Sequence, residues 1–188
     1  MALYSVRATA GSPKGSSCAQ VWSADGQTLF WTDGAANAIL TLTMVDPACW
    51  PPRIGAPLPL PRPDSSAGDA ARLAGATVDS AGRYGVAVDG GGSVQCLTPT
   101  GRPLLELPLL ARCPTAVAFG GPDLRTLFVV TSRQHRPAAE LEAFPDSGAV
   151  FARRLATPGL PPPATETDAR EWAPAPPPRH RAAPRYWD

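Results

Sequence analysis

The chain has 188 residues and a mass of 19.6 kDa, a length suited to one moderate core rather than two. Its 17 Lys plus Arg stand against 16 Asp plus Glu, a net charge of +1, so no global field recruits nucleic acid or an anionic membrane, and its longest charge-free apolar stretch, residues 34–45, is too short to span a bilayer. Hydrophobic residues at 44% exclude a wholly disordered chain, while 24 Pro and 17 Gly argue against long helices and for short strands joined by turns.

In chain order, Ala2-Leu3-Tyr4-Ser5-Val6 alternates like a strand and lacks the basic and apolar regions of a signal peptide. Nothing marks the chain for export, and a cytoplasmic location with reduced cysteines is the expectation. Strands are predicted at 19–22, 38–44, 76–79, 93–97, 115–119 and 149–152. The cluster from Pro51-Pro52 to Pro63 reads as a long ordered loop, and Gly90-Gly91-Gly92 as a tight turn rather than a phosphate cradle, since no Lys-Ser or Lys-Thr helix start follows it. Cys18, Cys49, Cys96 and Cys113 form no C-x-x-C pair, and His135 and His180 stand apart from them. Zinc and nucleophilic hydrolysis therefore lack clustered partners. Cys18 and Cys113, each at the start of a strand of the innermost type, are read as packing residues, as are Trp22 and Trp31.

An internal repeat organises the chain. Asp25-Gly26-Gln27-Thr28-Leu29-Phe30-Trp31 aligns without gaps on Ala81-Gly82-Arg83-Tyr84-Gly85-Val86-Ala87, and again on Asp123-Leu124-Arg125-Thr126-Leu127-Phe128-Val129. Each copy follows one apolar strand and precedes another. Strand, turn, strand, turn, strand at this spacing is the grammar of a β-propeller blade of about 40–50 residues.

Several runs carry a family resemblance: Val21-Trp22-Ser23-Ala24-Asp25-Gly26, Ala76-Thr77-Val78-Asp79-Ser80-Ala81-Gly82, Gly90-Gly91-Gly92-Ser93-Val94, and above all Phe119-Gly120-Gly121-Pro122-Asp123-Leu124-Arg125. They resemble the second half of the gluconolactonase, regucalcin and senescence-marker-protein family. The resemblance implies an all-β fold, a six-bladed propeller holding a calcium or other divalent ion in its channel, and metal-assisted opening of sugar lactones. It also implies an Asn ligand four residues before Trp22 and an Asp ligand five before Asp79. Those positions hold Cys18 and Ala74, and the sole asparagine, Asn37, is elsewhere in a turn. A third ligand, a Glu, belongs to a blade for which this chain has no counterpart. Six blades of about 45 residues need about 270, so about three fit here.

The expected architecture is a partial, about three-bladed propeller over residues 1–157 and a disordered Pro-rich tail over 158–188. The expected function is that of a truncated family member that has lost its metal site, takes no cofactor and has no independent catalysis. Two alternatives stand beside it: a calcium-dependent sugar lactone hydrolase completed by a missing first half, and an interaction scaffold working through the tail. In that tail Pro174, Pro177 and Arg179 satisfy a P-x-x-P-x-basic pattern for an aromatic groove. Uncovered outer blades imply self-association or a second chain supplying the missing ones, with no nucleic-acid or membrane partner.

Overall fold

A computed structural model of the chain describes residues 17–46, 53–56, 58–60 and 71–161. The strand at Ala2 to Val6, most of the loop through Pro63, Cys49, and Pro174, Pro177 and Arg179 lie outside these residues. No described helix is long and apolar enough to cross a membrane.

Three antiparallel sheets follow one another along the described chain. The first contains β1 (Ser17–Trp22), β2 (Thr28–Asp33) and β3 (Ala38–Asp46), with the short β4 (Arg53–Ile54) and β5 (Leu58–Leu60) both pairing β3. The second is β6 (Arg72–Val78), β7 (Tyr84–Asp89), β8 (Ser93–Leu97) and β9 (Pro103–Pro108), in sequence order. The third is β10 (Pro114–Gly120), β11 (Thr126–Thr131) and β12 (Val150–Arg154). Each sheet is one blade, so the three-bladed expectation holds for the described residues. A helix, α1 (Ala138–Ala143), stands in the connection before β12, where the sequence suggests only a loop. Its Glu140 is clamped by Arg136, with Nε to Oε1 at 2.7 Å and Nη2 to Oε2 at 2.5 Å, an i,i+4 pair that supports this single short turn.

The alternation of each strand gives every blade two faces. The forward face of blade one, carrying Phe30 and Thr32, meets the rear face of blade two, carrying Tyr84, Val86 and Val88. Phe30 stacks on Tyr84 with centroids 5.1 Å apart, and the Tyr84 and Thr32 hydroxyls are hydrogen-bonded inside this core. The forward face of blade two, carrying Ala87 and Val94, receives Val117, Leu127 and Val129 of blade three. The innermost strands lie side by side, β1 against β6 and β6 against β10. At the second contact a Cβ on Gly75 would stand 2.7 Å from the Ala116 Cα, so only glycine permits that approach.

The blade-two repeat is one residue out of register with the gapless alignment. Ser23 N–H donates to the Thr28 carbonyl, but Asp79 N–H donates to that of Arg83; the turn in blade two is a residue shorter. Leu29, paired with Trp22, therefore corresponds to Tyr84, paired with Val78. A slip of one residue moves every side chain to the other face, which is why Tyr84 and Val86 pack toward blade one rather than away from it. Blade three keeps the alignment, with Leu127 at the Leu29 position.

Candidate functional site

Each innermost strand opens with a β-bulge. Pairing shifts between Ser17 and Ala19 in β1, between Leu73 and Ala76 in β6, and between Pro114 and Ala116 in β10. The extra residues are Cys18, Ala74 with Gly75, and Thr115. Bulges re-aim side chains and gather beside functional sites, and both positions that the family resemblance assigns to metal ligands, Cys18 and Ala74, fall on them. The bulge also resets the alternation of β6. Leu73, Ala76 and Val78 belong to the core shared with blade one, whereas Ala74 packs into the core shared with blade three.

Ala74 brings a methyl group to its position, and Thr115 donates its hydroxyl to the Val130 carbonyl at 3.3 Å. Among the described residues no three His, Cys, Asp or Glu side chains come together in a way that could hold a metal ion. Asn37 is committed elsewhere. In left-handed backbone (φ 53°), its amide donates to the Ala71 carbonyl and accepts from the Leu73 N–H, both at 2.8 Å, tying the first blade to the start of β6. In blade two Gly92, equally left-handed at φ 67°, makes the corresponding tie by backbone alone, donating to the Arg112 carbonyl and accepting from the Leu109 N–H. This confirms the glycine run as a turn.

Asp79, the acid of the Val-Asp-x-x-Gly run, is consumed by its own turn. Its Oδ1 accepts from the Ala81 and Arg83 N–H groups at 2.9 Å, and its Oδ2 from the Arg83 guanidinium at 2.6 Å. Cys113, just before β10, is buried, with its Sγ 4.0 Å from Glu140 Oε1. Burial, then the neighbouring Asp89, push its thiol up to about 11, so at neutral pH it is a protonated packing group rather than a nucleophile. The packing reading fails for Trp22, which is 40% exposed.

Sequence reasoning did not anticipate a cleft of about 410 Å³ between blades two and three, at the strand ends opposite the bulges. Buried Val94 and Leu127 line it with Phe119, and the exposed Leu104 and Leu105 form part of its wall. Its polar groups are the paired Asp79 and Arg83, the threonines Thr77 and Thr157, and the thiol of Cys96, whose ionisation burial disfavours. No base stands beside a nucleophile here, so the cleft offers shape and apolar surface but no hydrolytic pair. Its far side is closed by the chain after β12, where Ser80 N–H donates to the Pro158 carbonyl and Gly159 N–H to that of Leu124.

Comparison with known proteins places this geometry among relatives. A family described as SMP-30/Gluconolactonase/LRE-like region matches residues 12–133. The 6-deoxy-6-sulfogluconolactonase of Pseudomonas putida is 51% identical over 92 residues, 49% of this chain and 32% of that protein. Among solved structures, the calcium-binding protein regucalcin of Agrobacterium tumefaciens aligns with a TM-score of 0.68 at 24% identity, over 78% of this chain and 48% of its own. A luciferin-regenerating enzyme aligns with a TM-score of 0.63 at 21% identity, over 77% and 47%. The chain thus spans about a third of that curated relative and just under half of each solved structure.

Proposed function

Because the chain belongs to the SMP-30/gluconolactonase/LRE-like family, we propose that its blades are a non-catalytic version of a sugar-lactone-opening propeller. The observation that carries this reading is the pair of bulges whose extra residues are Cys18 and Ala74. A hard divalent cation is held by several oxygen donors. A thiol is a soft ligand and a methyl group is none, so these residues do not fit such an ion, and no reaction step is assigned to one. Polarising a lactone carbonyl and activating water would both need it. Fold is inherited more securely than activity.

Calorimetric titration with calcium, paired with an assay of sugar-lactone opening, tests the proposal. We expect no saturable calcium binding below the millimolar range and no calcium-dependent hydrolysis. The double variant Cys18→Asn with Ala74→Asp restores two oxygen ligands on neighbouring strands and is expected to tighten calcium binding about tenfold or more, still without hydrolysis, because two ligands hold the ion loosely. Calcium-dependent hydrolysis by the unmodified chain overturns the proposal. It would favour a second reading, supported by the 51% identity to a lactonase over 92 residues, in which these blades belong to a working lactonase whose ligands lie on blades supplied from outside this sequence.

A further inference from the structure

The two junctions between blades are built alike but filled differently. At the first, Phe30 of blade one stacks on Tyr84 of blade two with ring centroids 5.1 Å apart. At the second, strand register puts Gly85 at the place of Phe30, since Phe30 pairs with Val21 and Thr41, and Gly85 with Thr77 and Cys96. Leu127, opposite Phe119, likewise takes the place of Tyr84, opposite Val78. Blade three again carries a phenylalanine, Phe128, at the Phe30 position, so blade two is the exception. Glycine and leucine stand where the first junction has two stacked rings, and the cleft of about 410 Å³ lies there, lined by Gly85, Cys96, Phe119 and Leu127.

Neither backbone nor crowding demands a glycine at position 85. Its φ is not left-handed, and a Cβ there would meet only Thr77, 3.6 Å from Cγ2 and 3.8 Å from the carbonyl oxygen, which is ordinary contact. Packed interiors leave few openings larger than a water molecule. This one falls within the range of about 300–1,000 Å³ of small-molecule sites and exceeds the roughly 150 Å³ that admits a benzene ring. The charges at the cleft decide what kind of molecule fits. Asp79 and Arg83 neutralise each other at 2.6 Å, and burial keeps the Cys96 thiol protonated at neutral pH. A charged ligand would lose its hydration without gaining a counter-ion, whereas Thr77 and Thr157 are hydroxyl-bearing residues of the lining suited to a neutral polar group.

We propose that this cleft binds a small neutral aromatic molecule, of one or two fused rings bearing a hydroxyl group, with its ring over Gly85 and against Leu127 as the Phe30 ring lies against Tyr84. Offset aromatic and apolar contacts supply the affinity, and the neutral lining supplies the discrimination against charged molecules. The cleft stands at the strand ends opposite the bulges, so its occupancy is independent of whether the blades hold a metal.

Titration of the 188-residue chain with 2-naphthol, followed by the fluorescence of the naphthol, is expected to show one saturable site with a dissociation constant of about 100 μM or tighter; absence of saturation overturns the proposal. The charged analogue 2-naphthoate is expected to bind at least about tenfold more weakly, and equal or tighter binding overturns the assignment of a neutral ligand. Gly85→Phe puts a ring into the cleft and is expected to weaken 2-naphthol binding at least about tenfold, with circular dichroism verifying the fold; undiminished binding by the folded variant overturns the site. Cys96 supplies a readout on the unaltered chain. Saturating 2-naphthol is expected to slow its alkylation by iodoacetamide at least about fivefold, measured by mass spectrometry of its peptide, while Cys113 is unaffected. Unchanged Cys96 reactivity places the bound naphthol elsewhere and overturns the proposal. Full protection of Cys96 before any ligand is added means that another part of the chain fills the cleft, which overturns it as well.

Discussion

Asn37 shows how one residue can point toward chemistry in the sequence and toward architecture in the fold. The chain's sole asparagine stands in a turn away from the position that the family resemblance gives to an Asn ligand, and both ends of its amide are spent on Ala71 and Leu73. Asn37→Ala leaves the Leu73 N–H unpaired inside the first interblade junction and places a Cβ-bearing residue with no compensating side chain in left-handed backbone. The expected cost is about 2–3 kcal/mol of stability, measurable as a lower urea midpoint at unchanged slope. Cys113 is a buried thiol beside Asp89 and Glu140, and acidic neighbours disfavour its thiolate. Its thiol is raised in the folded chain from 9.0 to about 11, so the folded state holds the proton more tightly than the unfolded one. The stability this contributes is fully present below about pH 9 and is lost as pH rises through about 11. Alkylation at pH 8 followed by mass spectrometry is expected to label Cys113 at least about tenfold more slowly in the folded chain than in denaturant; equal rates would mean that the thiol is accessible.

At the scale of elements, the hairpins obey one plan with turns of different length. The left-handed position of the first turn is held by Gly26 (φ 67°) in blade one and Gly82 (φ 76°) in blade two, but by Leu124 (φ 54°) in blade three. A leucine there carries a backbone penalty that glycine avoids, offset in part by glycine's greater freedom in the unfolded chain. Leu124→Gly is therefore expected to raise stability by about 0.5–1 kcal/mol, and a fall in thermal midpoint would show that the leucine side chain contributes more by packing than its backbone costs. The strands themselves were legible, because runs such as Thr126 to Thr131 are β-branched and aromatic and are bounded by Gly, Pro and Asp. The register of blade two was not. Its turn is a residue shorter than the aligned glycines suggest, and a face assignment in a strand depends on a single residue. Helix α1 was missed for a related reason, as a six-residue helix with no buried side chain leaves no apolar periodicity to read.

For the whole molecule, the interblade cores explain both the order of the blades and the state of the outer ones. Tyr84, Val86 and Val88 on one side and Val117, Leu127 and Val129 on the other hold blade two between its neighbours, whereas the forward face of blade three is exposed. The same asymmetry turns a sequence pattern of alternating apolar residues into an exposed sheet on blade three.

Composition, turn chemistry and the repeat were sufficient to determine an all-β chain of about three blades, since these follow from local periodicity and from what Gly, Pro and Asp do to backbone. The family resemblance, counted back from the Trp22 and Asp79 runs, pointed to Cys18 and Ala74. Only the tertiary structure decided that both positions are β-bulges, that Asn37 clamps two blades, and that blade two packs in the shifted register. The bulges and the register depend on which strand residues pair, as Ser17 with Asp33 and Val78 with Tyr84, and the ties between blades on more distant contacts, such as Asn37 with Leu73 and Thr32 with Tyr84; no local pattern records which of two strand faces a distant segment will cover.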